Sequence, residues 1–237
     1  MRIQNYSPQA RQEAMKYISC DALLLFVCHA LANKNPLSTV RMGDGEKALI
    51  KFTKTGEKAH FLSSGEWLLE YGLKGADLKK VGHSLIEAAH TTDYLCPNIS
   101  GLTIPKYEIL SILPPRDFYC EGLYAHTWLY MGRVPELMNY DGGIGIICRN
   151  SKEVADRLFM KFGKVVLNAE YADFDSHEDY MPCLEAIGKM KANLILIAAG
   201  PSGKLLCVEA SRKFGKVVLD TGSALVRHWS VAKTRNI

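Results

Sequence analysis

Apolar residues recur along the chain with two periods, which predict where helices and strands lie. Between residues 8 and 33 the apolar positions are three or four apart, which is typical of a helix with one buried face. We expect that face to carry Met15, Ile18, Ala22, Leu25 and His29, with the histidine packed in the core. A break at 33–36 ends this helix, and residues 37–42 then have the pattern of a short strand.

The middle of the chain is less regular. The predicted elements there are, in order, a helix from Asp44 or Gly45 to Thr55, one or two helices within 57–90, a strand near 94–96, a proline-rich loop over 97–115 and a helical region over 116–140. The loop is a candidate mobile substrate-binding segment. Aromatic residues at helical spacing in the last region favour core packing.

Strands and helices alternate in the last third of the chain. Predicted strands at 145–148, 164–167, 194–198 and 217–219 are separated by predicted helices at 151–162, 177–190 and 203–213. Such alternation indicates parallel strands joined by right-handed crossovers. The sequence therefore predicts an α/β fold: a Rossmann-like, mostly parallel sheet flanked by helices, in a single domain over 1–237 with a helical N-terminal segment (1–34) and a regular portion (143–228).

Composition and charge limit the classes of molecule that we expect the protein to bind. Hydrophobic residues make up 48% of the 237 residues and charged residues 23%, so the chain can bury a sizeable core without disulfides or structural metals. The net charge of +4 is too small to indicate a nucleic-acid-binding surface. An anionic small molecule is compatible with it.

Neither membrane insertion nor export is predicted. The longest apolar run, 22–32, is about half of what a bilayer requires, and the first residues lack the apolar segment of a secretion signal. The seven cysteines are scattered and form no Cys-x-x-Cys pair, which indicates reduced core thiols. We therefore expect a cytoplasmic protein with no transmembrane segment.

A glycine-rich loop follows one of the predicted strands, at the edge where such sheets bind ligands. Its sequence is Ala199-Gly200-Pro201-Ser202-Gly203-Lys204. Glycines let the backbone approach a phosphate, the helix N-terminus attracts it and Lys204 adds a positive charge, so the loop is a candidate diphosphate cradle. A tight strand-to-helix turn is the alternative. Asp220, after the next strand, is either a ribose ligand or a turn residue.

An acidic turn follows the first predicted strand, with the sequence Arg41-Met42-Gly43-Asp44-Gly45-Glu46. Its two carboxylates suit Mg²⁺ or Mn²⁺, which take further ligands from a substrate diphosphate. The alternative is structural, because Asp44 can cap the next helix and Glu46 can complement its dipole. That alternative does not account for Arg41 or for the two glycines.

In order and separation, these motifs resemble those of the GT-D-fold glycosyltransferases. Residues 41–46 match an Arg-x-Gly-Asp-Gly-Glu segment, residues 200–204 a Gly-Pro-(Thr/Ser)-x-Lys loop, and residues 219–222 a late strand that ends in Asp-x-Gly. The resemblance extends over roughly residues 35–228. It implies that Asp44 and Glu46 bind the metal and act in catalysis. It further implies a donor site that holds Arg41, Gly43, Gly45, Gly200, Pro201, Ser202, Gly203, Lys204 and Asp220.

The resemblance implies a hexosyltransferase that uses Mn²⁺ or Mg²⁺. The expected donor is a nucleoside diphosphate sugar, with UDP as the expected nucleotide, and the acceptor is a hydroxyl of a glycan, a glycoprotein or a lipid-linked sugar. The acceptor must lose a proton, and His126 is a candidate for that general base. A structural role beneath the aromatic cluster is the alternative for His126. The sequence leaves open whether the protein is a homo-oligomer.

Three other hypotheses stay open. Asp173-Phe174-Asp175 has the Asp-x-Asp form of a GT-A metal motif, but no apolar strand precedes it, and Ser176 and Asp179 favour a capping box. A non-catalytic Rossmann-like nucleotide-binding or scaffold protein would use the same glycine loop. A methyltransferase is ranked last, because no glycine-rich loop follows the first strand.

Overall fold

A parallel sheet forms the centre of the protein in the computed structural model, which describes residues 17–98, 112–162 and 169–230. The strands in these ranges are β1 (Tyr17–Ile18), β2 (Leu37–Met42), β3 (Tyr94–Pro97), β4 (Tyr119–Cys120), β5 (Ile144–Cys148), β6 (Glu170–Asp173), β7 (Leu194–Ala198) and β8 (Val217–Asp220). Six of the described strands form one parallel sheet in the spatial order β3-β2-β8-β7-β5-β6, and β1 pairs with β4.

Helices cover both faces of this sheet. They are α1 (Cys20–Asn33), α2 (Asp44–Thr55), α3 (Gly65–Glu70), α4 (Leu78–Thr91), α5 (Tyr124–Tyr130), α6 (Val134–Met138), α7 (Ser151–Phe162), α8 (Tyr180–Lys189) and α9 (Gly203–Phe214), with 3₁₀ turns at His60–Ser63 and His177–Asp179 and a π-helix at Ala224–Trp229. Helices α2, α4, α8 and α9 pack on one face, and α1, α5, α7 and the π-helix pack on the other.

Strands β5, β7 and β8 are apolar at nearly every position because both of their faces are buried. In β7, Ile195 and Ile197 belong to one core cluster, whereas Leu194 and Leu196 belong to the other. This alternation follows from the period of two along a strand, and a sheet covered on both sides needs no polar face. The predicted Rossmann-like fold is confirmed. Since the strands are parallel, β2, β7 and β8 end at the same edge.

The predicted N-terminal helix differs in its start and in its buried face. Helix α1 begins at Cys20, where the Ser19 hydroxyl accepts a hydrogen bond from the Ala22 N–H at 3.1 Å, and Ile18 lies in β1. Leu25 is 63% exposed and His29 is also exposed, so the predicted face is wrong. The buried residues are Leu23, Leu24, Val27, Ala30 and Leu31. Both sets have helical spacing, and the packing of α1 selects between them.

Three predicted segments lie wholly or mostly outside the described residues: the predicted strand at 164–167, residues 8–16 of the first helix and most of the predicted loop over 97–115. Two features near β6 can be compared with the sequence. Strand β6 was not predicted, because it is a half-exposed edge strand with no apolar run. The capping box of Ser176 and Asp179 is confirmed, although the helix after it begins only at Tyr180.

Burial agrees with the prediction for the cysteines and, in part, with the prediction of core packing for the aromatic region. All seven cysteines lie in the described residues as free thiols, and five of them are buried. In the aromatic region, Tyr124 and Trp128 are fully buried, whereas Tyr130 is 83% exposed. Among the helices of the described residues, none has the length and apolar character that a membrane span requires.

Candidate functional site

A cleft of about 750 Å³ opens at the carboxyl edge of the sheet. Its walls include the acidic turn, 41–46, after β2 and the glycine loop, 199–204, after β7. These segments are far apart in sequence, but Glu46 Oε1 lies 3.5 Å from Lys204 Nζ. The parallel topology brings them together, because both strands end at this edge. The sequence-based expectation that the two turns meet at one edge of the sheet is confirmed.

The acidic turn begins helix α2 and presents its two carboxylates differently. The Glu46 side chain turns back on the start of the helix, where its Oε2 accepts a hydrogen bond from the Gly43 N–H at 2.9 Å. Asp44 is exposed and lines the cleft. Both carboxylates lie in the first turn, where they complement the helix dipole. The structural role anticipated for Glu46 is therefore present, and Asp44 faces the cleft.

Beneath the cleft, Lys204 links the ends of three strands through buried charges. Its Nζ lies 2.6 Å from Asp220 Oδ2, and both side chains are almost completely buried. The same Asp220 oxygen accepts a hydrogen bond from the Arg41 backbone N–H at 2.8 Å. Burial by itself would lower the pKa of Lys204, but the carboxylates of Asp220 and Glu46 together raise it. Lys204 is therefore a fixed positive charge in the floor of the cleft.

The glycine loop is a tight turn whose upper side faces the cleft. Gly200 has a φ of +55°, and a Cβ there would lie 2.9 Å from the Tyr71 carbonyl oxygen, so the position requires glycine. Gly200, Pro201 and Lys204 line the cleft. Ser202 and Gly203 are buried below it, where the Ser202 hydroxyl lies 3.0 Å from His177 Nδ1. The tight turn considered from the sequence is therefore present, and the diphosphate cradle stays a prediction.

The two carboxylates of the acidic turn fit a divalent ion that takes its other ligands from water and from a substrate. Asp44 has an exposed carboxylate, and Glu46 keeps lone pairs beyond its contacts with Gly43 and Lys204. Within the described ranges, no group of three or more His, Cys, Asp or Glu residues is placed to hold a metal. Mg²⁺ commonly takes only one or two carboxylates and completes its shell with water and phosphate oxygens. The site suits that mode.

Comparisons with known proteins identify the fold family. A family model described as a GT-D fold-like domain matches residues 20–227. The chain belongs to the GT-D-like family. A solved structure described as the highly conserved domain of unknown function 1792, with a distinct glycosyltransferase fold, is 16% identical with a TM-score of 0.57. That match covers 88% of this chain and 78% of the other. No curated protein matches the sequence.

In this GT-D-like cleft, Arg41 is held by backbone carbonyls. Its Nε donates to the Gly122 carbonyl, and its Nη1 donates to the Thr221 carbonyl at 2.9 Å. These bonds, with the bond from its backbone N–H to Asp220, fix the turn after β2 to the turn after β8. Arg41 lines the cleft and contributes a positive charge there, whereas Asp220 is buried below.

His126, the predicted general base, is not among the residues that line the cleft. It lies on α5, and its ring contacts that of His228 with centroids 4.8 Å apart. Burial lowers the pKa of His126 to about 4, and the charges of Arg41 and His228 contribute to the shift. The imidazole is therefore neutral at pH 7, and its ring contact is with His228.

Several residues of the cleft wall were not identified from the sequence. They are three aromatic residues, Phe61, Trp67 and Tyr71, the ion pair of Arg227 with Glu70 at 2.6 Å, and Arg149, which pairs at 3.3 Å with Asp175 of the alternative Asp-x-Asp motif. In the sequence, the aromatic part of this wall is indicated by the spacing of Trp67 and Tyr71, which are four residues apart and follow the helix cap Ser64.

The alternative Asp-x-Asp motif is divided between two structural roles. Asp173 ends β6, a half-exposed edge strand, so the strand before the motif is not an apolar one, as expected. Its carboxylate accepts hydrogen bonds from the backbone N–H and hydroxyl of Ser151, at 2.7 and 2.6 Å, at the start of α7. Asp175 instead lines the cleft and pairs with Arg149. The two carboxylates therefore do not serve as one pair.

Proposed function

We propose that this protein is a metal-dependent glycosyltransferase. It moves a hexosyl group from a nucleoside diphosphate sugar, with UDP as the expected nucleotide, to a hydroxyl of a glycan or glycoconjugate acceptor. The observation that carries the proposal is the meeting of the acidic turn and the glycine loop in one cleft of a GT-D-like chain. Family membership shows the fold, and the paired turns support the proposed chemistry.

The floor of the cleft is suited to a diphosphate leaving group. Negative charge grows on the diphosphate as the bond to the anomeric carbon breaks, and fixed positive groups stabilise it most where they need no reorganisation. Lys204 is held in place by its two carboxylates, and the positive end of the α9 dipole lies beside it. Asp44 and Glu46 would hold Mn²⁺ or Mg²⁺, which supplies Lewis-acid stabilisation of the same charge when bound.

The exposed wall of the cleft leaves room for an acceptor. Asp44 lies at its surface with a free carboxylate edge, while Glu70 and Asp175 are each held by an arginine. Ion pairing fixes those two carboxylates for hydrogen bonds to sugar hydroxyls, which are good donors to charged acceptors. His126 carries no step in this proposal, because it lies away from the cleft wall.

Sugar transfer and sugar-nucleotide hydrolysis test the proposal directly. Purified protein with Mn²⁺ should release UDP from a UDP-sugar, and the release should rise when a suitable glycan acceptor is present. Asp44→Asn should lower turnover by about 10²- to 10³-fold, since it removes a charged contact that acts on the leaving group. Asp141→Asn, which changes an exposed aspartate outside the cleft, is the matched control.

The outcomes separate an enzyme from a binding protein. Tight UDP binding without turnover of any UDP-, GDP- or ADP-sugar would support the non-catalytic nucleotide-binding alternative. Turnover by Asp44→Asn close to that of the unchanged protein, with Mn²⁺ present, would contradict the metal assignment. In each case Asp44→Asn must also show a normal unfolding transition, so that lost activity is not lost folding. We expect it to do so because Asp44 is exposed.

A further inference from the structure

The connection between α2 and α4 places three aromatic rings in a row against the cleft. The Phe61 and Trp67 ring centroids are 5.0 Å apart, and those of Trp67 and Tyr71 are 4.6 Å apart with an interplanar angle of 27°. Tyr71 ends this row and is 39% exposed, and it lines the cleft. Trp67 covers one face of the Tyr71 ring, so the uncovered part of that ring is available to a ligand in the cleft.

The row of rings is fixed to both of the motif turns. A Cβ at Gly45 would lie 2.9 Å from Trp67 Cζ2, so the indole rests on the acidic turn. The Tyr71 carbonyl rests in the same way on Gly200 of the glycine loop. At the next residue, Gly72, a Cβ would lie 2.7 Å from the Asp175 carbonyl oxygen. These three contacts hold the Tyr71 ring at a set position beside the proposed diphosphate site.

A flat aromatic surface next to fixed positive charges matches a nucleotide. Lys204 and Arg41, the two cations of the proposed donor site, line the same cleft as Tyr71. A nucleotide carries a planar base and an anionic phosphate chain in one molecule, so it uses both features together. Aromatic pairs also prefer the offset-stacked arrangement that Trp67 and Tyr71 already show. A neutral acceptor sugar would use the ring but not the cations.

We propose that the exposed part of the Tyr71 ring stacks on the nucleobase of the sugar-nucleotide donor, with Trp67 as the ring that supports it. Tyr71 is then a binding residue for the donor, and Trp67 is a positioning residue. The inference rests on the proposed function, because it takes the donor to be a nucleotide, and it adds the subsite that recognises the base.

Calorimetric titration with UDP and with inorganic diphosphate tests this inference. Tyr71→Ala should weaken UDP binding roughly 5- to 150-fold, the range for loss of one base-aromatic stack. The same variant should leave diphosphate binding unchanged, and Tyr71→Phe should keep UDP binding because it keeps the ring. Tyr130→Ala, which removes an 83% exposed tyrosine on α5, is the matched control and should bind UDP normally.

Tryptophan fluorescence gives a second readout that does not depend on diphosphate affinity. Trp128 and Trp229 are fully buried, whereas Trp67 is half-buried behind Tyr71. UDP should therefore change the emission of the unchanged protein, and the change should disappear in Trp67→Phe. Ribose 5-phosphate, which lacks a base, should produce no such change.

Each remaining result has a definite meaning. Unchanged UDP binding by folded Tyr71→Ala overturns the stacking inference and leaves the proposed function intact. Equal loss of UDP and diphosphate binding also overturns it, since the ring would then shape the phosphate site rather than hold a base. If the unchanged protein binds none of UDP, ADP and GDP, with or without Mn²⁺, the proposed function itself fails.

Discussion

At the scale of single residues, Lys204 is the charge that joins the two motif turns. Its ammonium lies 2.6 Å from Asp220 and 3.5 Å from Glu46, in a place that is almost inaccessible to water. A buried carboxylate that loses its partner cannot regain water, so the pair is far more sensitive to removal of one member than a surface pair. The residue that we assign to the diphosphate site therefore also holds the fold of that site.

Lys204→Met should lower the free energy of unfolding by about 3–5 kcal/mol, because it leaves Asp220 buried without its countercharge. Urea unfolding at pH 7 measures the loss. Lys152→Met is the matched control, since it breaks an exposed ion pair with Asp156 and should change stability by less than about 1 kcal/mol. Similar small losses in both variants would contradict the assignment of a buried ion pair.

At the scale of elements, the short segment from α3 to Gly72 is held against the sheet edge by backbone contacts. Tyr71 rests on Gly200, Gly72 rests on Asp175, and the Gly72 carbonyl oxygen accepts a hydrogen bond from the His177 N–H at 3.0 Å. Helix α3 buries none of its residues completely. Its position therefore depends on these glycine contacts, on the packing of Trp67 and Leu68 against the core, and on polar contacts with Arg149 and Arg227.

Gly200→Ala should displace this segment, whereas Gly132→Ala should not. Both glycines have positive φ, +55° and +71°, so each substitution costs about 1–2 kcal/mol in backbone strain. Only the Cβ at position 200 meets another backbone, the Tyr71 carbonyl at 2.9 Å, while position 132 is open. We expect a further loss of about 1–3 kcal/mol for Gly200→Ala in urea unfolding.

UDP binding by the same two variants completes this test. Gly200→Ala should weaken binding because the Tyr71 ring moves with its carbonyl, and Gly132→Ala should bind UDP like the unchanged protein. If both variants lose the same stability and keep UDP binding, then the contact of Tyr71 with Gly200 does not position the cleft wall.

At the scale of the whole molecule, a pair of histidines connects α5 with the π-helix in the helical layer on the face of the sheet opposite α2. His126 on α5 and His228 in the π-helix are in ring contact, and burial and Arg41 lower the pKa of His126 to about 4. The unfolded chain binds this proton near pH 6.5, the ordinary value, so it takes up the proton before the folded state does. Stability should therefore fall as the pH is lowered from 6.5 towards 4.

His126→Asn should reduce this acid sensitivity. The difference in unfolding free energy between pH 7.5 and pH 5 should be smaller in the variant than in the unchanged protein, because the group that binds the proton only on unfolding is gone. Chemical unfolding at the two pH values measures it. His83→Asn removes an exposed imidazole and serves as the control. An identical pH dependence in His126→Asn and the unchanged protein would show that His126 is not held neutral by the fold.

The sequence by itself determined the elements whose signals are local. Strand β7 is a run of apolar residues closed by a Gly-Pro turn, and α2 lies between the acidic turn and Gly56. Such signals depend on a few neighbouring residues, so they do not require knowledge of the rest of the fold. The alternation of these elements indicated the parallel sheet, and the sheet in turn predicted that both motif turns would meet at one edge.

Only the tertiary structure decided which groups these elements present to one another. Leu25 and Leu24 are equally apolar, yet one is exposed and the other buried, because the partners of α1 are distant in sequence. The same holds for Lys204, whose carboxylate partners come from β8 and α2, and for Tyr71, whose support comes from Gly200. Burial and ion pairing are properties of contacts between remote segments, and no local pattern encodes them.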